Sequence, residues 1–273
     1  MAENKRFFYG WLILLTCILI MGLGYAPLVS CASLFTKPVT EDLGFTRSGY
    51  ALVSTIAALM MAFMSPFIGK IMSKPYMHKA LVVCMIGNCL AYYCYSFAST
   101  LPQFYVTAAC IGFFECGSTM IPVSVLITNW FRKKRGLVMS IAMVGSSIGG
   151  TILSPIIGNL IASQGWRFTY KAVGITRLVI LVPLVLLVIR RTPADMGTKA
   201  YGADEEGETG KARKTEREWN VSLKEVKKKP MFWCFVLGCT LISATAAVIT
   251  QIPASVMDAG YATTTAASIA SLY

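Results

Sequence analysis

The chain has 273 residues, of which 55% are hydrophobic and only 14% charged. A water-soluble domain carries nearer a quarter charged residues, so this balance excludes a soluble globular protein and marks an integral membrane protein. The formal net charge of +12 reads as membrane topology and not as a footprint for nucleic acid, because of where the cations fall along the chain.

A helix needs about 20 mostly apolar residues to cross the hydrocarbon core. Seven spans meet that length, roughly 8–35, 48–69, 80–98, 102–129, 137–163, 170–189 and 231–256, and an eighth starts near 262 and reaches Tyr273 after about a dozen residues. Continuous apolar runs without ten-residue alternation favour helices over a membrane barrel. The expected fold is therefore an all-α polytopic membrane protein that is incomplete at its C-terminus. Residues 1–190 form a first six-helix bundle, 191–230 a linker, and 231–273 the beginning of a second bundle.

The first span follows Lys5-Arg6, and "LVSC" at 28–31 imitates a lipoprotein cleavage box. Its apolar run is about twice the usual signal length, which favours a retained helix over a cleaved signal. Its polar residues Tyr25, Ser30 and Ser33 are candidates for a solute path, with packing as the alternative. All nine cysteines (17, 31, 84, 89, 94, 110, 116, 234, 239) fall inside predicted spans without metal spacing, so they read as small packing residues. No cofactor motif stands out.

In the fourth span, "IGFFECGSTMIP" carries Glu115 near mid-depth. A charge there costs at least about 2.5 kcal/mol unless it faces water, pairs or is protonated. At helical spacing its neighbours are Gly112, Ser118, Thr119 and Pro122, a small and polar stripe. The stripe suits a bundle-facing acid, either a proton or cation site or a structural acid bonded to a neighbouring helix.

Between spans four and five, "NWFRKKRGLVMSIAMVGSSIGG" (129–150) gathers Arg132 to Arg135 into one turn. Beyond it, Ser140, Ser147, Thr151 and Ser154 fall near one face, and Gly145-x-x-x-Gly149 offers a surface for close helix approach. "GSSIG" also spells the hydrolase nucleophile elbow, but that motif needs a strand-turn-helix and a histidine partner. The only histidine is His78, in a loop, so the hydrolase reading is rejected and no enzyme is expected.

Arg177 lies in the sixth span about 10 Å from its outer end, at about 1.5 Å per residue. There it either attracts an anion or snorkels to the outer surface. The stretch 190–229 is rich in charge and Gly and reads as a solvated linker, ending in a short amphipathic helix near 221–228. "NVS" at 220–222 matches a glycosylation acceptor on a side where it stays unmodified. The seventh span supplies Thr250 and Gln251 as further polar candidates. A weak repeat relates "KPVTEDLGFTRSGYA" (37–51) to "IPASVMDAGYATTTAA" (252–267), as expected of two duplicated halves.

With the N-terminus inside, twenty of the 25 Lys and Arg fall in inside segments. They are Lys5 and Arg6; Lys70, Lys74 and Lys79; Arg132 to Arg135; and the eleven from Arg190 to Lys229. Outside segments hold only Lys37, Arg47, Arg167 and Lys171. The asymmetry puts the N-terminus and the 191–230 loop in the cytoplasm and the protein in the plasma membrane.

The 129–150 stretch resembles the helix 4–5 signature of the major facilitator superfamily, in its oxalate/formate-antiporter and monocarboxylate-transporter-like branch. Trp130, Phe131, Arg135, Gly136, Gly145 and Gly149 match, and "GWR" (165–167), "RTPADMG" (192–197) and "KKPMFW" (228–233) also resemble that branch. The resemblance implies two six-helix bundles with one substrate site between them at mid-depth. It implies a secondary carrier of a small organic anion, a mono- or dicarboxylate, by proton symport or anion exchange. Its partners are then the lipid bilayer, the anion and protons, and the full-length carrier is monomeric. A carrier of another small solute and a truncated, non-transporting membrane protein are the alternatives.

The loop "GKIMSKPYMHK" (69–79) departs from the family pattern. Gly69, Lys74 and Lys79 remain, but Ser73 stands for the acid, Tyr76 for the glycine and His78 for an arginine. The lysine that monocarboxylate carriers place late in helix 1 and the aromatic cluster of oxalate carriers are both missing from 25–35.

The topology has a direct check. A single cysteine placed within 195–215 is expected to resist a membrane-impermeant thiol reagent added outside intact cells and to react after permeabilisation. Labelling from outside would reverse the orientation.

Overall fold

The computed structural model describes residues 8–198, 200–201, 226, 228–249 and the isolated positions 252, 255, 256, 259, 261, 265 and 268. The described residues form long helices in the expected order. They are α1 (Gly10–Leu43), α2 (Arg47–Met72), α3 (Met77–Cys94, closed by a 3-10 turn Tyr95–Phe97) and α4 (Leu101–Trp130). Then follow α5 (135–164), α6 (166–188) and α7 (Pro230–Ile249). Thr250 and Gln251, near the end of the seventh predicted span, lie outside the described residues, as does 202–225.

Apolar spans set where the helices sit, and local chemistry sets where they stop. α1 is irregular at residues 30–31 but resumes and continues past its apolar run through polar residues 36–43, until Gly44 caps it with φ 66°. Thr46 opens α2 by accepting the Gly49 amide at 3.2 Å. Thr100 and Gln103 form a reciprocal capping box at the start of α4. The turn expected between spans five and six shrinks to one residue, Gly165, whose φ of 82° and ψ of 165° only glycine adopts readily.

Two apolar clusters stack along the bundle. One lies at the basic end, beside the turns near 73–76 and 131–134, and contains Met72, Met77, Trp130, Phe131, Val138 and Val185. The other lies at the opposite end and contains Phe35, Tyr50, Tyr95, Phe104, Trp166 and Tyr170. Val138 and Val185 share one cluster while Ile157 and Tyr170 share the other, so α5 and α6 run antiparallel about Gly165.

α1 and α5 cross with their backbones touching. A Cβ added at Gly149 would collide with the Gly22 backbone, and one at Gly145 with the Ile18 backbone. α4 meets α2 in the same way, where Gly112 faces the Ala57 backbone. Lipid tails are as apolar as side chains, so this close contact, rather than exclusion of water, holds helices together in a bilayer.

The linker is not wholly solvated. Its described beginning folds back across the basic end, where Tyr201 exchanges backbone bonds with the α4–α5 turn: its amide reaches the Trp130 carbonyl at 3.0 Å, and its carbonyl accepts the Arg132 amide at 3.1 Å. Tyr201 also packs its ring against Phe8, Trp11 and Phe131. Apolar ring area near a membrane surface thus orders a segment whose charge content predicted solvation.

The cysteines divide. Cys17, Cys31, Cys84, Cys89 and Cys116 are buried packing residues, whereas Cys94, Cys110, Cys234 and Cys239 are exposed, which corrects the reading of all nine as packing. Length and apolarity place a cysteine in a span but not on a face.

Replacing Gly149 by Ala is expected to destabilise the bundle by about 1–3 kcal/mol, the usual cost of overpacking a close contact. Gly69→Ala, which meets no heavy atom within 4 Å, should leave stability unchanged. Thermal unfolding of both variants in detergent is the check; equal midpoints would mean that the crossing is loose.

Candidate functional site

Between the two apolar clusters lies a polar layer built from four helices. Asn88 of α3, Glu115 of α4 and Arg177 of α6 are 0%, 5% and 2% exposed. Asn88 is the centre. Its Nδ2 donates to Glu115 Oε2 at 2.7 Å, and its Oδ1 accepts from Arg177 NH2. The same Arg177 nitrogen donates to the Gly24 carbonyl of α1 at 2.8 Å. Only one orientation of the amide serves both neighbours, since a carboxylate needs a donor and a guanidinium needs an acceptor.

Each partner is presented by a local irregularity. α1 widens into a π-turn over Ile20–Tyr25, which contains Gly22 and Gly24 and is followed by Pro27, a residue with no amide to donate. The widened turn offers the Gly24 carbonyl to Arg177. α4 is interrupted at Thr119 (φ −122°, ψ −96°), three residues before Pro122. There the single hydrogen of the Thr119 hydroxyl is shared between Glu115 Oε1 at 2.9 Å and the Glu115 carbonyl at 3.0 Å. Ser118 also returns its hydroxyl to the Glu115 carbonyl, at 3.3 Å.

Arg177 therefore reaches into the bundle and does not snorkel outward. The Tyr92 ring lies beneath its guanidinium at 5.1 Å. Its Nε and NH1 have no hydrogen-bond partner among the described residues. Arg177 also lines a mostly apolar cavity of about 110 Å³ with Leu23, Pro27, Ile157, Val173 and Thr176. Glu115 and Arg177 make no direct ion pair, and Asn88 joins them. The network holds one acid and one base, which limits the several kcal/mol that each isolated ion costs in a low-dielectric interior.

The other sequence candidates separate into distinct places. Tyr25, half-buried, ends the π-turn within electrostatic reach of Glu115. Ser30 is half-buried against Gly150 of α5, and Ser33 is buried with its hydroxyl unpartnered. Ser140 and Ser147 lie on an exposed strip of α5 together with Thr151, and Ser140 donates back to the Gly136 carbonyl at 3.0 Å. Ser154, expected on that face, is instead buried, with its Oγ 3.4 Å from the Cys31 Sγ. Gln251 lies outside the described residues.

At the basic end, Lys74 and Lys79 are exposed, and a Cβ at Gly69 or Gly136 would meet open space. Arg135 closes the α4–α5 turn by donating Nε to the Phe131 carbonyl at 2.9 Å. Where the family pattern would place an acid, Ser73 uses its backbone: its carbonyl accepts from Arg191 at 2.9 Å, which ties the α2–α3 loop to the segment after α6.

Sequence reasoning missed Asn88, the hub of the layer, and Tyr201. The available signal for Asn88 was an amide in the middle of a 21-residue apolar span, as conspicuous there as the acid that was noticed. Removing the cation should expose the dependence of the layer on charge balance. Arg177→Met is expected to cost on the order of 3 kcal/mol by leaving a buried acid without its counterion. The double variant Arg177→Met/Glu115→Gln should recover most of that loss in thermal unfolding; additive losses would mean that the two residues are energetically independent.

The family model described as Major Facilitator Superfamily matches residues 12–273. Among curated proteins the chain is similar to monocarboxylate transporter 2 of Homo sapiens, 24% identical over 229 residues, covering 82% of this chain and 45% of that protein. It is also similar to monocarboxylate transporter 4 of Gallus gallus (26% identical, 61% of this chain, 35% of that one). The MFS-type transporter pynF of Aspergillus niger is 27% identical, over 67% of this chain and 43% of that one. The chain thus spans less than half the length of these curated relatives. Among solved structures, a bacterial homologue of the human lysosomal transporter Spinster, inward-facing and unoccupied, aligns with a TM-score of 0.76 at 17% identity, covering 98% of this chain and 59% of that one. Helical spans in the family's order, the family model's match from residue 12 to residue 273 and the shared fold lead to one conclusion: the chain belongs to the Major Facilitator Superfamily, whose members are multi-pass membrane transporters and not enzymes.

Proposed function

We propose that the protein is a proton-coupled secondary carrier of a small organic anion, a monocarboxylate in the first instance, working by alternating access. The observation that carries this reading is the Glu115 carboxyl, held inside the bundle by the neutral donors Asn88 and Thr119 and joined through Asn88 to Arg177. The names of the monocarboxylate transporters among its relatives support the substrate class.

Proton and anion are coupled by charge. With Glu115 ionised, the carboxylate and the guanidinium balance. When Glu115 takes a proton, the layer carries one uncompensated positive charge in a low-dielectric bundle, and its field favours entry of an anion into the adjoining pathway. Release of the anion restores the incentive to release the proton. The exposed strip of Ser140 and Ser147 supplies neutral hydrogen-bonding groups for a wet path, and Tyr25 lies within electrostatic reach of Glu115. In this reading the N-terminus and the 191–230 loop are cytoplasmic, the membrane is the plasma membrane, and the full-length carrier is a monomer.

The test uses the full-length carrier. Glu115→Gln should fold normally, lose the dependence of uptake on external pH, and keep counterflow exchange of labelled substrate. Proton-driven uptake unchanged in Glu115→Gln would remove Glu115 from coupling and favour anion exchange, with Glu115 as a structural acid.

A further inference from the structure

Proton coupling through Glu115 requires that a change of charge on one carboxyl be felt by a helix that moves. Among the described residues Glu115 hydrogen-bonds only with Asn88 and its own helix. Arg177 touches α1, but at the Gly24 carbonyl of the π-turn and not at Glu115. One side chain closes the gap between them. We infer that Asn88 is a positioning residue of the proton-handling site: its amide locks the Glu115 carboxylate and the Arg177 guanidinium into a fixed pairing, and that pairing holds the π-turn of α1.

The inference rests on the proton-coupled reading of Glu115, and the geometry gives it direction. An ionised Glu115 accepts two hydrogen bonds, from Asn88 Nδ2 and Thr119 Oγ1. Both bonds stabilise the ionised form. A proton on Oε1 can be accepted by the Thr119 hydroxyl, which then donates to the Glu115 carbonyl alone, whereas a proton on Oε2 faces an NH₂ group that cannot accept. Protonation at Oε2 is met only by turning the Asn88 amide, and a turned amide would present NH₂ to Arg177, donor against donor. Arg177 would then lose Asn88 and be left with the Gly24 carbonyl, its only other partner here. Proton arrival at α4 thereby alters the load on the α1 carbonyl two helices away. It does so where α1 is least regular, with two glycines and a following proline.

The groups facing this layer are few. Tyr25 comes from α1, Cys89 and Tyr92 from α3, Cys116 from α4 itself, and Arg177 from α6. Between Arg47 and Lys70, α2 carries Tyr50 as its one ionisable residue, and that hydroxyl contacts Tyr170 in the opposite cluster at 3.3 Å. α5 carries no charged residue after Arg135.

The experiment compares Asn88→Asp, Asn88→Ser and Glu115→Gln in the full-length carrier, reading the pH profile of uptake alongside counterflow exchange. Asn88→Asp puts a second carboxyl beside the first, and the pH of half-maximal uptake should rise by about one unit or more. Asn88→Ser removes the fixed donor and should shift the profile in the same direction by less. A monodisperse elution profile in detergent reports that each variant is folded. A purely structural amide would lower yield and leave the profile where it was, and that result in either folded variant overturns the inference. If neither variant accumulates, the protonated-carboxyl infrared band of the wild-type carrier, assigned by its loss in Glu115→Gln, gives the reading. It should change together with an Asn88 amide band on pH titration, and an amide band that stays constant overturns the inference. The two ideas fail separately. Retained pH dependence in Glu115→Gln defeats the coupling reading itself. Lost pH dependence there, with an unmoved profile in the Asn88 variants, defeats only the role of Asn88.

Discussion

The bundle depends on one constraint: inside a bilayer every polar group must find its partner within the protein. Arg177 and Glu115 bring opposite charges to mid-depth, and neither reaches water. Asn88 bonds both at once, the Gly24 carbonyl takes the same Arg177 nitrogen and the Thr119 hydroxyl takes Glu115, while Arg177 Nε and NH1 stay unpartnered among the described residues. The π-turn of α1 carries the carbonyl that Arg177 meets, and the interruption of α4 lies at the residue whose hydroxyl meets Glu115.

Around that layer the two ends are built differently. The opposite end is closed by aromatic packing, with Phe35 stacked on Tyr170 at 4.0 Å between ring centres and Tyr95 stacked on Phe104 at 5.5 Å. The basic end is tied by side chain to backbone bonds, from Tyr9 to the Val188 carbonyl, from Trp130 to Arg190 and from Arg191 to Ser73. Such bonds hold loop backbones that carry like charges and would otherwise repel. Glycine crossings at Gly145 and Gly149 bring α1 close to α5, so the π-turn of α1 faces a rigid neighbour on that side. α1 is thus held close to α5 over the same stretch where its backbone is irregular.

Span positions were legible because lipid thickness imposes a length that apolar runs must meet, and the six spans of the first bundle lie where hydropathy puts them. Their ends were less legible. α1 outlasted its apolar run until Gly44, and α5 and α6 turned on Gly165 alone, since caps and single glycines act below the scale of a hydropathy window. Glu115 and Arg177 were conspicuous as charges in apolar surroundings. Asn88 escaped notice because an uncharged amide carries a smaller penalty in the membrane, although its consequences are as large.

The amino-acid sequence by itself determined that this is a multi-pass helical membrane protein of the major facilitator type, where the spans run, and which ionisable residues enter the membrane. These follow from composition and from spacing along one chain. Only the tertiary structure decided that Arg177 points inward, that Glu115 meets it through Asn88, that Ser154 is buried while Ser140 and Ser147 are exposed, and that Tyr201 returns to the α4–α5 turn. The physical reason is that hydropathy fixes depth but not rotation about the helix axis. Rotation is set by which helices approach closely enough to share a hydrogen bond.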